Sequence, residues 1–309
     1  MVLHGPARTK SGDELRENFF RLLQRSCLIG AKQGQGLAVY RSIAKTLYNL
    51  CGEPWVHSTI FPFENNLVRS FLVETGMPIA DPQSVVQKSL MGNAWLAIAN
   101  SILQRLNPRD FASLCSVAGA ENLHAARAVG RGVMIAHSHT LFAQLFWSWL
   151  EHEGIASGVT TWQWAWGKSR NETRDPGTRT VESARELHAA VGTLREGGLV
   201  HIVADGDKGT REIVLPFCNR RRGFRPTFAE LAVTTNALII TVDVNLAADG
   251  GILIEIGAPF VENTSDHHRS RRVEELVLRY AEHLRRRWQA YPADLPWFVM
   301  RQQLMLPPI

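Results

Sequence analysis

The chain has 309 residues, 45% of them hydrophobic and 20% charged, with a formal net charge of +5. That length supports a sizeable core in one domain or two, and the balance of apolar and charged residues excludes wholesale disorder. The 4 cysteines (Cys27, Cys51, Cys115 and Cys218) show no CxxC spacing, which argues against a zinc site and a disulfide framework and fits a reducing compartment.

Residues 1–12 read as a loose polar start. Helical spacing then runs from Asp13 to about Gly52, with Leu15, Phe19, Phe20, Leu22 and Leu23 on one face and a second run over Ala38 to Leu50. Pro54, Pro62 and Pro78 interrupt the next segment, leaving room for a short helix over Asn65 to Thr75. Further helices are expected over Ser84 to about Leu106 and after Pro108. No strong strand signal occurs in the first 125 residues.

Strands follow. Gly132–Ala136, Gly158–Trp166, Leu199–Ala204, Ala237–Val244 and Ile252–Ile256 are β-rich. Between and after them come helical patterns: Val181 to Arg195, closed by Gly197-Gly198, Thr227 to Thr234, and an amphipathic run from Glu274 to Trp288. Strands alternating with helices predict an α/β fold with a largely parallel central sheet flanked by helices. The expected organisation is a helical region over residues 1–125 and an α/β core over 126–309, joined as one integrated domain.

The chemistry is expected where Gly132–Ala136 ends in His137-Ser138-His139-Thr140 and a helix-compatible stretch begins. Open α/β sheets place their sites at such strand ends, and histidine is the side chain best suited to proton transfer near neutral pH. His139 precedes Gln144 by five residues, so the two side chains meet only if the histidine sits just before the helix or in its first turn. Either His137 or His139 is the base, or one of them anchors the loop. Asp205 and Asp207 lie at another strand end, beside Gly206 and Gly209, where paired carboxylates hold a cation, anchor an arginine or fix the turn. Trp162, Trp164 and Trp166 alternate along one strand and share a face, either walling an apolar groove, meeting a membrane, or filling a core. Arg220-Arg221-Arg222, with further clusters at Arg269 to Arg272 and Arg285 to Arg287, attracts phosphate, acidic carriers or anionic headgroups, or is ordinary solvated surface. No P-loop, complete GxGxxG or metal-ligand cluster is present in the sequence, and the arginine clusters lack the aromatic interleaving of a nucleic-acid module. Neither a cofactor, a metal nor a nucleic-acid partner is expected.

Taken together these motifs resemble the lauroyl/myristoyl acyltransferases of lipid A synthesis, within the lysophospholipid acyltransferase superfamily. The family pattern is a histidine, four residues and an acid after a glycine-apolar strand, as in Gly132–Ala136 followed by His139. A glycine–strand–Asp-x-Asp-x-Gly block follows at Gly197 to Gly209, then a Pro-Phe step at Pro216-Phe217. A helix-then-strand block spans Phe228 to Ile240, and a final signature runs from Tyr291-Pro292 to Arg301. The resemblance covers about residues 105–301, more weakly 40–104, and implies a fold of the lysophospholipid acyltransferase type. It also implies acyl transfer from an acyl-carrier protein or coenzyme A thioester to a hydroxyl or amine on a small molecule or a lipid. His139 would be the base, and Asp205 and Asp207 would line the cleft; for such a donor, Arg220-Arg221-Arg222 with Arg225 after the Pro-Phe step, and Arg179 as a second candidate, are the residues to bind its phosphate or its acidic carrier.

One departure is evident: the family's acid is Gln144 here. An amide can select a histidine tautomer but brings no charge, and in a serine protease triad the equivalent acid-to-amide change costs about 10⁴ in rate. The alternatives are a slowed enzyme, one with an amine acceptor, one that borrows a carboxylate (the Asp205 loop being the candidate source), or a homologue that only binds a lipid or acyl carrier. With no signal peptide or membrane-spanning apolar run in view, a cytoplasmic location, peripheral to the inner membrane where a membrane is involved, is expected.

Overall fold

The computed structural model describes residues 14, 16–19, 21–22, 25, 36–103, 108–143, 145–155, 187–206, 211–260 and 268–309. Among the described residues, helical positions at 14, 16–19, 21–22 and 25 are followed by four α-helices, α1 (Gly36–Leu50), α2 (Pro62–Glu74), α3 (Pro82–Leu103) and α4 (Pro108–Leu114), with a π-helical turn (Val56–Ile60) between the first two. On α1, Tyr40, Ala44 and Leu47 are buried, the i, i+4, i+7 stripe of a helix with one apolar face. Tyr40 meets Trp95 of α3 edge-on, and the indole N–H donates to the phenol oxygen at 3.0 Å. A buried indole and a buried phenol thereby satisfy each other.

Next come β1 (Cys115–Ala118), α5 (Ala120–Ala128), β2 (Val133–His137) and α6 (Leu145–His152). After them lie α7, described over 187–195, β3 (Leu199–Val203), β4 (Ile213–Phe217) and β5 (Arg220–Phe224). The chain ends with α8 (Thr227–Thr235), β6 (Leu238–Leu246), β7 (Ile252–Ile256), α9 (Arg269–Ala290) and α10 (Trp297–Met305). Five strands form one sheet in the order β1-β7-β6-β2-β3. Its pairs are parallel except β6 with β7. The fold is therefore α/β with a mostly parallel central sheet flanked by helices and a helical region before it.

β2 sits between β3 and β6, and all five of its residues are buried. That is why its sequence, Val-Met-Ile-Ala, reads as a continuous apolar run rather than an alternating one. Two glycines shape the approach to this strand. A Cβ on Gly132 would fall 2.2 Å from the Leu194 carbonyl oxygen, and Gly197 takes φ +78 where α7 ends. Both positions exclude other residues without a backbone shift. On the other side, α9 buries Val273, Leu276, Val277, Tyr280, Ala281, Leu284 and Trp288. Each fully buried side chain of this size stabilises the fold by about 1.5–3 kcal/mol.

Two elements differ from the sequence expectation. β1 lies within the stretch read as helical: Cys-Ser-Val-Ala is short, small and alternately exposed, and it becomes a strand by lying parallel to β7. β4 and β5 form a separate two-stranded hairpin where a Pro-Phe step and a basic cluster were read. Its turn, Cys218-Asn219, has φ values of 47 and 57, the doubly left-handed geometry of a tight hairpin. The expected strand Gly158–Trp166 lies outside the described residues.

Candidate active site

Parallel register brings the site together. His137 pairs with Val203, and the Ala204 N–H donates to the His137 carbonyl at 2.8 Å, so β2 and β3 end side by side. His139 and Asp205 each lie two residues beyond these partners, at the same sheet edge. The Asp205 Oδ1 accepts the backbone N–H of His139 at 3.0 Å and lies 2.8 Å from its Nδ1. An ionised carboxylate can only accept, so Nδ1 carries the proton and the ring's lone pair is on Nε2.

The two partners differ in exposure. The side chain of Asp205 is fully buried, while that of His139 is 35% exposed. Burial pushes the Asp205 carboxyl up, but the charge and hydrogen bonds of His139, with Arg222 behind them, outweigh it and hold the group below its usual range. Asp205 is thus an anion aimed at one ring nitrogen of a half-buried imidazole. The Phe298 ring packs edge-on against His139 with centroids 5.3 Å apart, and Phe298 is itself exposed.

Beneath this pair lies a layer of neutral histidines. His137 is 8% exposed and its Nδ1 donates to the Ser138 carbonyl at 3.1 Å. Its ring stacks on His201 of β3 with centroids 4.0 Å apart and planes 9° from parallel, and Trp147 of α6 meets His201 edge-on. Burial lowers His137 to about 4 and His201 well below its ordinary value. The Tyr280 hydroxyl of α9 donates to the His137 carbonyl at 3.2 Å, tying the long helix to the end of β2.

Behind Asp205 stands Arg222, the middle of β5. Its guanidinium donates to the Asp205 carbonyl at 3.1 Å and lies 3.9 Å from Oδ2, close enough for charge contact and too far for a hydrogen bond. The run of arginines gave no sign of this. Strand alternation turns Arg221 outward and Arg222 inward. Arg220 donates to the Leu306 carbonyl and pairs with Glu74 of α2. Gln144, Asp207, Trp164 and Arg179 lie outside the described residues, as do Trp162 and Trp166. Among the described residues, no group of three or more His, Cys, Asp or Glu side chains could hold a metal ion, and no helix is long and apolar enough to cross a membrane.

A second ion-pair cluster lies along β6. Asp243 pairs with His283 at 2.9 Å and with Arg287 at 3.2 Å, both from α9. Arg287 continues to Glu255 at 2.8 Å and donates to the side-chain Oδ1 of Asn245 at 2.7 Å, and its guanidinium lies over the Tyr291 ring.

No curated protein matches the chain. Residues 65–302 match the family described as bacterial lipid A biosynthesis acyltransferase. That span covers most of the chain, from α2 through the sheet, the His139–Asp205 pair and α9 into α10, and the chain belongs to this family of acyltransferases.

Proposed function

We propose that this protein moves an acyl group from a thioester donor, an acyl-carrier protein or coenzyme A, to a hydroxyl or amine acceptor. His139 is the general base and Asp205 the carboxylate that orients it. The observation that carries the reading is the 2.8 Å contact from Nδ1 of His139 to an Asp205 oxygen that also holds the His139 backbone N–H. With Nδ1 protonated, Nε2 accepts the acceptor's proton as its oxygen or nitrogen attacks the thioester carbonyl. The tetrahedral intermediate then collapses, the C–S bond breaks, and the imidazolium returns the proton to the leaving thiolate. Asp205 stays ionised throughout and stabilises the imidazolium. This supplies the charge that Gln144 lacks, and it favours an enzyme over a homologue that only binds.

His137 serves as a wall rather than as the base in this reading, because its proton-donating nitrogen is held by Ser138 and its ring is stacked and buried. Asp207, Trp164, Arg179 and Arg220 are candidates for contacts to donor or acceptor. Thioester donors of this kind put the reaction in the cytoplasm, with peripheral contact to the inner membrane where the acceptor is a lipid. The test is intact-mass analysis of products after mixing the protein with panels of acyl carriers, acyl-coenzyme A thioesters and hydroxyl or amine acceptors. A product one acyl mass heavier than the acceptor, absent with His139→Ala, is expected. Donor binding without any such product would overturn the reading in favour of a binding protein.

A further inference from the structure

Arg222 is the one arginine of its cluster that reaches the site, and its setting has the marks of a built device. The residue is 9% exposed. Its guanidinium carbon stands 5.4, 5.6 and 5.0 Å from the ring centroids of Phe217, Phe224 and Trp288. It also donates to the Gln303 Oε1 at 3.1 Å, and the fully buried Gln303 is itself fixed by donating its amide to the Phe217 carbonyl at 3.0 Å. Four elements, β4, β5, α9 and α10, therefore hold this cation from behind while its front edge holds the Asp205 carbonyl. A buried charge is costly unless it is paired and hydrogen-bonded. An apolar residue would fill an aromatic box at lower cost, so the choice of arginine needs a reason beyond packing.

We infer that Arg222 is a positioning residue for the His139–Asp205 pair, a role that rests on the proposed reaction. It fixes the backbone of the Asp205 loop through one donor, and its charge, 3.9 Å from Oδ2, moderates the pull that the carboxylate exerts on the imidazole. An isolated buried carboxylate would hold the His139 proton too tightly and leave the ring protonated and useless as a base near neutral pH. Arg222 shares that carboxylate, so His139 keeps its orientation without being locked in the charged form. The other ionisable groups near Asp205 do not perform this service. His137 on β2 is held neutral by burial, and Tyr280 on α9 is pushed far up by burial. Asp243, which also acts on both, is paired with His283 and Arg287.

The experiment reads His139 directly. Long-range ¹H–¹⁵N spectra of the full-length protein labelled on histidine are followed through a pH titration, with His139→Gln giving the assignment. Arg222→Met removes the charge and keeps the length; His139 should then titrate higher by about one unit, because the carboxylate acts on it undiminished. The acid limb of kcat/KM should move with it. Arg222→Lys restores the charge without the fork, so the titration should return to near the wild-type midpoint while turnover stays about tenfold or more below it, since the loop is no longer fixed. Gln303→Glu leaves Arg222 in place and gives it a competing carboxylate, so it should also raise the midpoint, and it serves if Arg222→Met does not fold. A His139 midpoint unchanged in both Arg222→Met and Gln303→Glu overturns the inference even if the wild-type protein makes product. A midpoint that moves as stated in a protein that makes no product leaves the coupling standing and removes the proposed reaction.

Discussion

Two histidine–aspartate pairs of nearly equal length sit at this sheet, and they are built for different ends. His139 meets Asp205 at 2.8 Å and His283 meets Asp243 at 2.9 Å. At the first, the carboxylate oxygen that faces the ring also takes the histidine's own backbone N–H, and the arginine stands off at 3.9 Å. At the second, one carboxylate oxygen receives His283 and Arg287 together, and Arg287 goes on to Glu255, Asn245 and the face of Tyr291. The second aspartate is neutralised in direct contact, which fastens α9 to β6 and β7. In the proposed reaction the first keeps its charge for the imidazole, its arginine standing 3.9 Å from the free carboxylate oxygen. Distance between histidine and aspartate alone would not separate them; what stands on the far side of the carboxylate does.

The largest test of this contrast is in turnover. Asp205→Asn and His139→Ala should each lower the rate by about 10²–10⁴, the usual range for general-base assistance and its orienting partner. Asp243→Asn should leave kcat within a few-fold of wild type while lowering stability. Steady-state rates on folded, purified variants check this, and an equal loss from the two aspartates would erase the distinction. Next comes stability. Arg287→Met takes the guanidinium from Asp243 and Glu255 and leaves Asp243, whose side chain is 6% exposed, with His283 alone, which should cost up to about 3 kcal/mol in urea unfolding, the lower end for breaking a buried pair.

How much of this was legible beforehand follows the sequence distance over which each feature is defined. β2 was readable because its apolar run is local and glycine-bounded, and the His139–Asp205 neighbourhood in part, because both lie at strand ends and the missing acid at position 144 pointed to the Asp205 loop as a source of carboxylate. Arg222 was hidden in a run of three arginines, since only the hairpin's register decides which one turns inward. The Asp243 cluster had no motif at all: its partners come from β6, β7 and α9, and only tertiary packing brings them together. β1 failed the usual signals because its four residues take their strand geometry from β7 rather than from their own preference.

The buried histidines give a smaller, pH-dependent effect. A histidine whose folded value is depressed stabilises the fold above its unfolded value, and that stability is lost as pH falls towards the folded one. His137, lowered from 6.5 to about 4, should account for about 3 kcal/mol of loss across that window. Asp294 works in the opposite sense. Burial raises it from 3.8 to about 6, so its burdened charged form is relieved as pH falls, returning up to about 3 kcal/mol. His201, held well below its ordinary value by burial, adds to the loss on the acid side. Urea midpoints should therefore fall on acidification in the wild type, fall less with His201→Phe, and fall more steeply with Asp294→Asn. An unchanged slope in His201→Phe would show that the stacked pair is not what titrates.

The smallest expected effect is at Gln144, and it sharpens the comparison most. On the sequence alone, restoring the family's acid by Gln144→Glu should rescue a base that lacks its carboxylate, since that loss is worth about 10⁴ in a serine protease triad. With Asp205 already on Nδ1, a second carboxylate has no vacancy to fill on that nitrogen, and where the family's acid reaches the histidine a second anion raises its proton affinity and opposes its work as a base. Gln144→Glu should therefore change kcat by no more than about threefold on a hydroxyl acceptor, with the acid limb of the rate profile moving to higher pH. The double variant Asp205→Asn with Gln144→Glu separates the two supplies of charge. If Asp205 is the orienting group, the double variant should regain part of the activity lost in Asp205→Asn, because position 144 then carries the acid that the family pattern sets after the histidine. A large gain from Gln144→Glu alone would mean that Asp205 merely fixes the loop, and that His139–Asp205 belongs with His283–Asp243 as a structural tie.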